Sequence, residues 1–240
     1  MTVQLFIPCY IDQFSPHVAQ SFCNFLDKLN ISWNYPTAQT CCGQFAFNAG
    51  DWQSARRMMR HFFRVFNPLE PIICPSASCV LTIRRHYPLL VETSTDAANL
   101  TRLQPLVFEF TEWLSRLLPL PFPLIWPGKI FFHNSCSAKQ LNILPSLKYL
   151  LGFIQHLQIT EVSQDHSCCG FGGLFSFKCP DLALAIGSTY LQSMLRSNAI
   201  ALVSSDVGCL LHLQRITDAI KISLPMYHLV ELIYQSSQDF

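Results

Sequence analysis

The chain repeats itself, and the repeat is carried by cysteine. Phe6-Ile7-Pro8-Cys9 near the start is matched by His133-Asn134-Ser135-Cys136, each following a short apolar run. Thirty-one residues separate Cys9 from Cys41-Cys42-Gly43, and thirty-one separate Cys136 from Cys168-Cys169-Gly170. All three cysteines recur at an offset of 127. A third element, Pro71 to Cys79, is matched by Ala201 to Cys209 at an offset of 130. Three residues are thus gained in between, and the Gly-Phe-Gly-Gly run at 170–173 is the expected place for them. The tails match more loosely, Phe108 to Leu114 against Tyr227 to Ile233. Ordered matches of this kind imply two copies of one module, expected at residues 1–120 and 128–240.

Each copy alternates short apolar runs with helical periodicity. The first reads as a strand at Val3 to Ile7, a helix at His17 to Leu29, a strand at Ser32 to Tyr35, a helix at Gly50 to Phe66 and a strand at Ile72-Ile73. The second reads as a strand at Ile130 to His133, a helix at Ala138 to Leu151, a strand at Gln158 to Val162, a helix at Leu182 to Arg196 and a strand at Ile200 to Val203. The pattern predicts an α/β fold: two tandem similar halves, each a small parallel sheet with flanking helices, related by pseudo-two-fold symmetry. Cys9, Cys79, Cys136 and Cys209 each follow a predicted strand, so their sulfurs are expected at the carboxyl rim, where ligand loops of such sheets gather.

Eleven cysteines in 240 residues need an explanation. Met1 to Tyr10 shows no cationic leader, and no small-residue cleavage pattern follows, so a cytoplasmic protein with free or metal-bound thiols is expected. The most apolar stretch, Leu117 to Trp126, is short and holds Pro119, Pro121 and Pro123; no membrane span is expected. The net charge is +1 with no basic stripe, which argues against nucleic acid. No G-x-G-x-x-G follows a strand, which argues against bound flavin or nicotinamide.

Four thiolates per half suit iron, being soft and anionic. Adjacent cysteines diverge, so each pair can reach two irons of one cluster. Gly43 and Gly170 permit a tight turn and can donate N–H groups to the sulfurs. Four thiolates also suit tetrahedral zinc, although structural zinc sites usually use two short C-x₂₋₄-C knuckles rather than this spacing.

The pattern resembles the cysteine-rich CCG domain found in heterodisulfide reductase and in the iron–sulfur subunits of glycolate and glycerol-3-phosphate oxidases. Phe6-Ile7-Pro8-Cys9-Tyr10-Ile11-Asp12 and Gln39-Thr40-Cys41-Cys42-Gly43-Gln44 carry it, and it extends over nearly the whole chain. Two such domains alone are similar to the lactate-utilisation branch of that family. The resemblance implies cofactor-binding and metal-ligating roles for Cys9, Cys41, Cys42 and Cys79 in one site and Cys136, Cys168, Cys169 and Cys209 in the other. The cofactor it implies is an iron–sulfur cluster, of 4Fe–4S type. The implied function is that of a non-catalytic electron-transfer subunit in a soluble complex oxidising lactate to pyruvate. The chain lacks a ferredoxin cysteine run, so the implied partners include a ferredoxin-type iron–sulfur protein. A cluster-dependent thiol–disulfide reductase and a zinc-stabilised interaction protein are the alternatives. The full family motif ends Cys-x-x-Cys, but Thr82 and His212 stand where its last cysteine falls, so the expectation is a four-thiolate cluster.

Other candidates have plainer readings. Cys23 is expected as a buried apolar residue and Cys179 as incidental. Cys74 lies close to Cys79 in sequence, but its counterpart is Ser204. His133 can hydrogen-bond a sulfur or move a proton, His212 stands at the fifth-ligand position, and His166 precedes Cys168; for each, a packed side chain is the simpler reading.

Overall fold

The computed structural model describes residues 2–161 and 168–238. Two compact units, Met1–Arg116 and Leu117–Phe240, divide the chain.

In the first unit, β1 (Thr2–Leu5) is followed by α1 (Cys9–Phe14), α2 (Pro16–Lys28) and β2 (Ser32–Asn34). Next come α3 (Gln44–Asn48), α4 (Trp52–Val65), β3 (Ile72–Cys74) and α5 (Ala77–Leu81). A π-helical turn at Thr82–His86 leads into α6 (Tyr87–Leu90), α7 (Ser94–Leu103), β4 (Val107–Glu109) and α8 (Phe110–Leu114). The sheet is wholly parallel in the order β2-β1-β3-β4. Its central strands bury both faces, which is why they read as apolar runs. Buried Gln4 is the polar exception, and both ends of its amide are met by the backbone of Asn67 at 2.8 Å. On α2, Val18, Phe22, Phe25 and Leu26 form the buried stripe, and Phe22 and Phe25 pack edge-on against Phe110 at 5.3 and 6.3 Å. Asp51 caps α4 by accepting from the Ser54 N–H, and Ala55, Met59 and Phe62 face inward.

The second unit follows the same plan. Its elements are β5 (Leu124–His133), α9 (Cys136–Leu141), α10 (Leu144–Leu151), β6 (Ile154–Glu161), α11 (Phe175–Lys178) and α12 (Pro180–Leu195). They continue with β7 (Ala201–Ser204), α13 (Val207–Ala219), β8 (Met226–His228) and α14 (Leu229–Ser236). The parallel sheet has the order β6-β5-β7-β8. Leu5 pairs with Ile73 and Phe132 with Val203, so the sequence offsets of 127 and 130 reproduce the strand register.

Some elements differ from the sequence reading. The helix expected from Ala138 to Leu151 is two helices. Asn142 ends α9 at φ +54°, and Pro145 opens α10, where its missing N–H costs no helical bond. The strand expected at Gln158 to Val162 begins earlier, at Ile154, and Val162 lies outside the described residues. The repeated tails are a fourth strand running into a helix, with a capping box at Glu109/Glu112 and another at His228/Glu231. The crossover to that strand is longer in the first unit, where α5, the π turn, α6 and α7 do what α13 does in the second. Gly43 backs onto Ala55 and Met58, and Gly170 onto Ala183 and Ile186, an offset of 128. One of the three extra residues therefore precedes α12, and the other two are taken up by α12 itself, 16 residues long against 14 in α4. Among the described residues, no helix is long and apolar enough to cross a membrane.

Candidate metal centres

Parallel packing sends the carboxyl end of every strand to one rim of its own sheet. Cys9 opens α1 just beyond β1, and Cys79 lies in α5 just beyond β3. Cys136 opens α9 beyond β5, and Cys209 lies in the first turn of α13 beyond β7. The Cys-Cys-Gly loops follow the neighbouring strand in each sheet.

In the first unit the thiols form a continuous series. Cys9 reaches Cys41, Cys41 reaches Cys42, and Cys42 reaches Cys79. Cys74, buried at the end of β3, reaches Cys79 in turn. Hydrogen bonding to Cys41, and then burial, push the Cys9 thiol far up. Cys41 accepts from Cys42, Cys9 and the Gly43 N–H, and these bonds hold its thiol well down. Bonding to Cys41 and Cys79 raises fully buried Cys42, with burial adding to the rise. One sulfur in this crowd therefore carries charge readily, and each further charge is opposed by its neighbours. All four become thiolates together only if positive charge is supplied, as a metal does.

Gly43 makes the loop possible. Its φ of +86° lies in the left-handed region, and its N–H donates to Cys41 Sγ at 3.4 Å. Tyr87, fully buried, donates to the Cys42 carbonyl at 3.0 Å and fixes the loop from below.

The second unit copies the glycine: φ +87° at Gly170, with its N–H 3.4 Å from Cys168 Sγ. The Phe171 N–H lies 3.5 Å from Cys169 Sγ. Cys169 and Cys209 are buried, their sulfurs 2.9 Å apart, well beyond the roughly 2.05 Å of a disulfide bond. Cys136 and Cys168 are exposed. Although Cys136 is exposed as a residue, its sulfur is partly shielded from solvent, which raises the thiol, and the nearby charges of Cys168 and Asp206 raise it further. Bonding to Cys169, then burial, push Cys168 far up.

His133, the last residue of β5, is 1% exposed, and its Nδ1 meets the Tyr190 hydroxyl. Burial pushes its imidazole down to about 4, so the ring is neutral near pH 7. A His133 nitrogen and the sulfurs of Cys169 and Cys209 all lie within 4.8 Å of one another. Tyr190, on α12, carried no recognisable sequence signal. Its only clue is its place at the offset of 128, opposite Phe62.

The remaining candidates among the described residues make other contacts. Cys23 is half-buried on α2 rather than sealed in the core, and its thiol is raised by burial and by Asp27. Cys179 is exposed at the junction of α11 and α12. The His212 Nε2 lies 3.2 Å from the Ala183 carbonyl, and the Thr82 hydroxyl donates to the Ser78 carbonyl at 2.9 Å. His166 lies outside the described residues.

The donors suit a soft metal or an iron–sulfur group. Thiols converge at each rim, backbone N–H groups point at sulfur, and beside Cys169 and Cys209 the buried His133 Nε2 has no hydrogen-bond partner.

Two parallel sheets, each with a nest of cysteines on its carboxyl rim, define a duplicated cysteine-rich module. The chain belongs to the CCG cysteine-rich domain family, whose model matches residues 3–84 and 130–214. It is similar to "Lactate utilization protein A" of Bacillus thuringiensis (strain Al Hakam), with 27% identity over 239 residues, covering 99% of this chain and 100% of that protein. It is equally similar to "Lactate utilization protein A 2" of Bacillus anthracis (strain CDC 684 / NRRL 3495). Among solved structures, a hypothetical protein from Helicobacter pylori superposes on 99% of this chain with a TM-score of 0.64 and 11% identity. This chain spans 49% of that protein's length, and the likeness shows the fold alone.

Proposed function

We propose that the chain is an iron–sulfur electron-transfer subunit of an oxidoreductase complex serving lactate utilisation, the oxidation of lactate to pyruvate. The observation that carries this reading is the convergence of four thiols on the rim of each sheet. The relatives' name, matched end to end, supports lactate as the metabolite. In this reading residues 1–120 and 128–240 are the two cluster-binding domains. Cys9, Cys41, Cys42 and Cys79 hold one cluster of 4Fe–4S type, and Cys136, Cys168, Cys169 and Cys209 hold the other.

Such a cluster, when bound, takes up and releases single electrons. The chain's own residues set the conditions for that exchange. The Gly43 and Gly170 N–H groups stabilise negative charge on sulfur, which favours the reduced state. The exposure of Cys136 and Cys168 on the rim leaves a path to an electron partner. That partner includes a ferredoxin-type iron–sulfur protein, and the complex is cytoplasmic.

Anaerobic loading of the full chain tests the reading. Iron and sulfide in similar amounts, with an EPR signal on reduction, are expected. The chain, co-purified with its partner subunits, should support lactate-dependent acceptor reduction. Stoichiometric zinc with no redox response would replace this reading with a structural one.

A further inference from the structure

We propose that the His133 imidazole is a ligand of the second unit's metal centre, beside Cys169 and Cys209. The second centre is then mixed imidazole–thiolate, whereas the first is thiolate throughout. This rests on the reading that each unit holds a metal.

Three observations carry the inference. The first is position. His133 ends β5 in register with Ser204, and one of its nitrogens, with the Cys169 and Cys209 sulfurs, forms a buried set within 4.8 Å. The second is the state of the ring. Tyr190 engages Nδ1, and Nε2 is fully buried without a hydrogen-bond partner. Buried polar atoms are nearly always paired, and a lone one calls for a cause. A metal-bound histidine characteristically has its other nitrogen fixed by a neighbour, the part Tyr190 plays here.

The third is the contrast with the first unit. At the matching register stands Phe6, packed edge-on against Phe62 at 5.4 Å. His133 and Tyr190 cross in the same way, at 4.8 Å and 83°. Packing alone is thus satisfied there by two phenylalanines. The polar pair replaces them in the unit that lacks a thiol at the Cys74 position, where Ser204 stands. In the first unit Cys74 brings a fifth sulfur beside Cys79. The second unit brings a nitrogen from the neighbouring strand instead. A neutral imidazole leaves the centre less negative than a thiolate would, so the second centre is the more easily reduced.

The test uses the full chain carrying Cys41→Ser and Cys42→Ser, which silences the first unit, with ¹⁵N-labelled histidine. It is loaded anaerobically with iron and sulfide, or with Co(II) alone. Pulsed EPR of the reduced iron centre should show a nitrogen coupling that shifts with the label and vanishes in His133→Phe. Cobalt-edge X-ray absorption should show imidazole scattering that vanishes in the same variant. Co(II) affinity should fall at least tenfold in His133→Phe and by about tenfold in Tyr190→Phe, the effect typical of losing a ligand's hydrogen-bond partner. Should His133→Phe fail to fold, His133→Phe/Tyr190→Phe, which recreates the Phe6–Phe62 pair, supplies the same readouts. A metal centre with no histidine nitrogen, or with a signal that survives His133→Phe, overturns the inference and leaves electron transfer standing. Imidazole-bound Co(II) in a chain that takes up no iron keeps the ligand and overturns the electron-transfer reading. Failure to bind either metal overturns both.

Discussion

Phe6 in the first unit and His133 in the second occupy one register position on two parallel sheets of the same strand order, yet their surroundings are unlike. Phe6 sits among Phe62 and Phe66, a wholly apolar contact. His133 sits against Tyr190 and two buried sulfurs. The thiols show the same divergence. The first unit holds Cys42, Cys74 and Cys79 buried and Cys9 and Cys41 half-buried; the second buries two of its four and exposes the others. The strand ends and the loop glycine are common to both, because they place the sulfurs. The residues that surround the sulfurs differ, because placement does not depend on them. A duplicated scaffold can thus hold two centres of unlike character.

Removing one nest at a time should have the largest effect. Cys41→Ser/Cys42→Ser and Cys168→Ser/Cys169→Ser are each expected to lower bound iron and sulfide by about half, with about four thiolates needed per cluster. The EPR signals that remain should differ between the two variants. Identical residual signals, or loss of all iron from either, would break the comparison between unlike centres.

The shared features were the legible ones. Buried parallel strands have to be apolar runs, and Cys-Cys-Gly has to recur where the loop recurs, so element order and rim placement could be read from spacing. The fourth strands are only three residues each, too short for periodicity, and showed only as matched tails. Pro145 marked the break between α9 and α10, but the apolar residues on both sides of it masked the signal. What surrounds the sulfurs was least legible. His133 could be flagged from its place before Cys136. Its pairing with Tyr190, 57 residues away, and the approach of Cys74 to Cys79 are products of helix and strand packing that no local pattern records.

Next in size is the loop glycine. A β-carbon at Gly43 would meet the Met58 Cβ at 3.3 Å and its Sδ at 3.4 Å, close contacts that a shift of a few tenths of an ångström relieves. At Gly170 it would meet the Ala183 carbonyl oxygen at 2.4 Å and the Gly187 nitrogen at 3.0 Å, which are backbone. Gly43→Ala should cost about 1–2 kcal/mol, the strain of a left-handed alanine. Gly170→Ala should cost a further ~1–3 kcal/mol of overpacking. Urea titration of the metal-free chain, with hydrogen exchange reporting each unit, measures both. Equal losses would mean that the two loops back onto α4 and α12 with the same freedom.

Tyr87→Phe should affect the first unit alone. It leaves the Cys42 carbonyl without its donor in a buried site, at about 1–2 kcal/mol. Hydrogen exchange should quicken at residues 41–43 and stay unchanged at residues 168–170.

The smallest expected effect separates the units by acid sensitivity. Asp96 belongs to α7, an element with no counterpart in the shorter second crossover. Its side chain is buried. Arg60, at 2.8 and 2.9 Å, holds the carboxyl well below its ordinary 3.8, with help from Thr93 and the backbone N–H groups of Glu92 and Thr93. A carboxyl depressed in the folded state adds stability that is present above the ordinary value and lost as pH falls through the folded one. Asp96→Asn should therefore lower first-unit stability at neutral pH by about 1 kcal/mol, the scale of a lost cap interaction. The gap between variant and parent should close as pH falls below 3.8. The second unit's exchange rates should be indifferent to the substitution at every pH. A gap that stays constant down to the acid transition would mean that the charge on Asp96 contributes nothing, and that the capping geometry at Thr93 alone holds α7 in place.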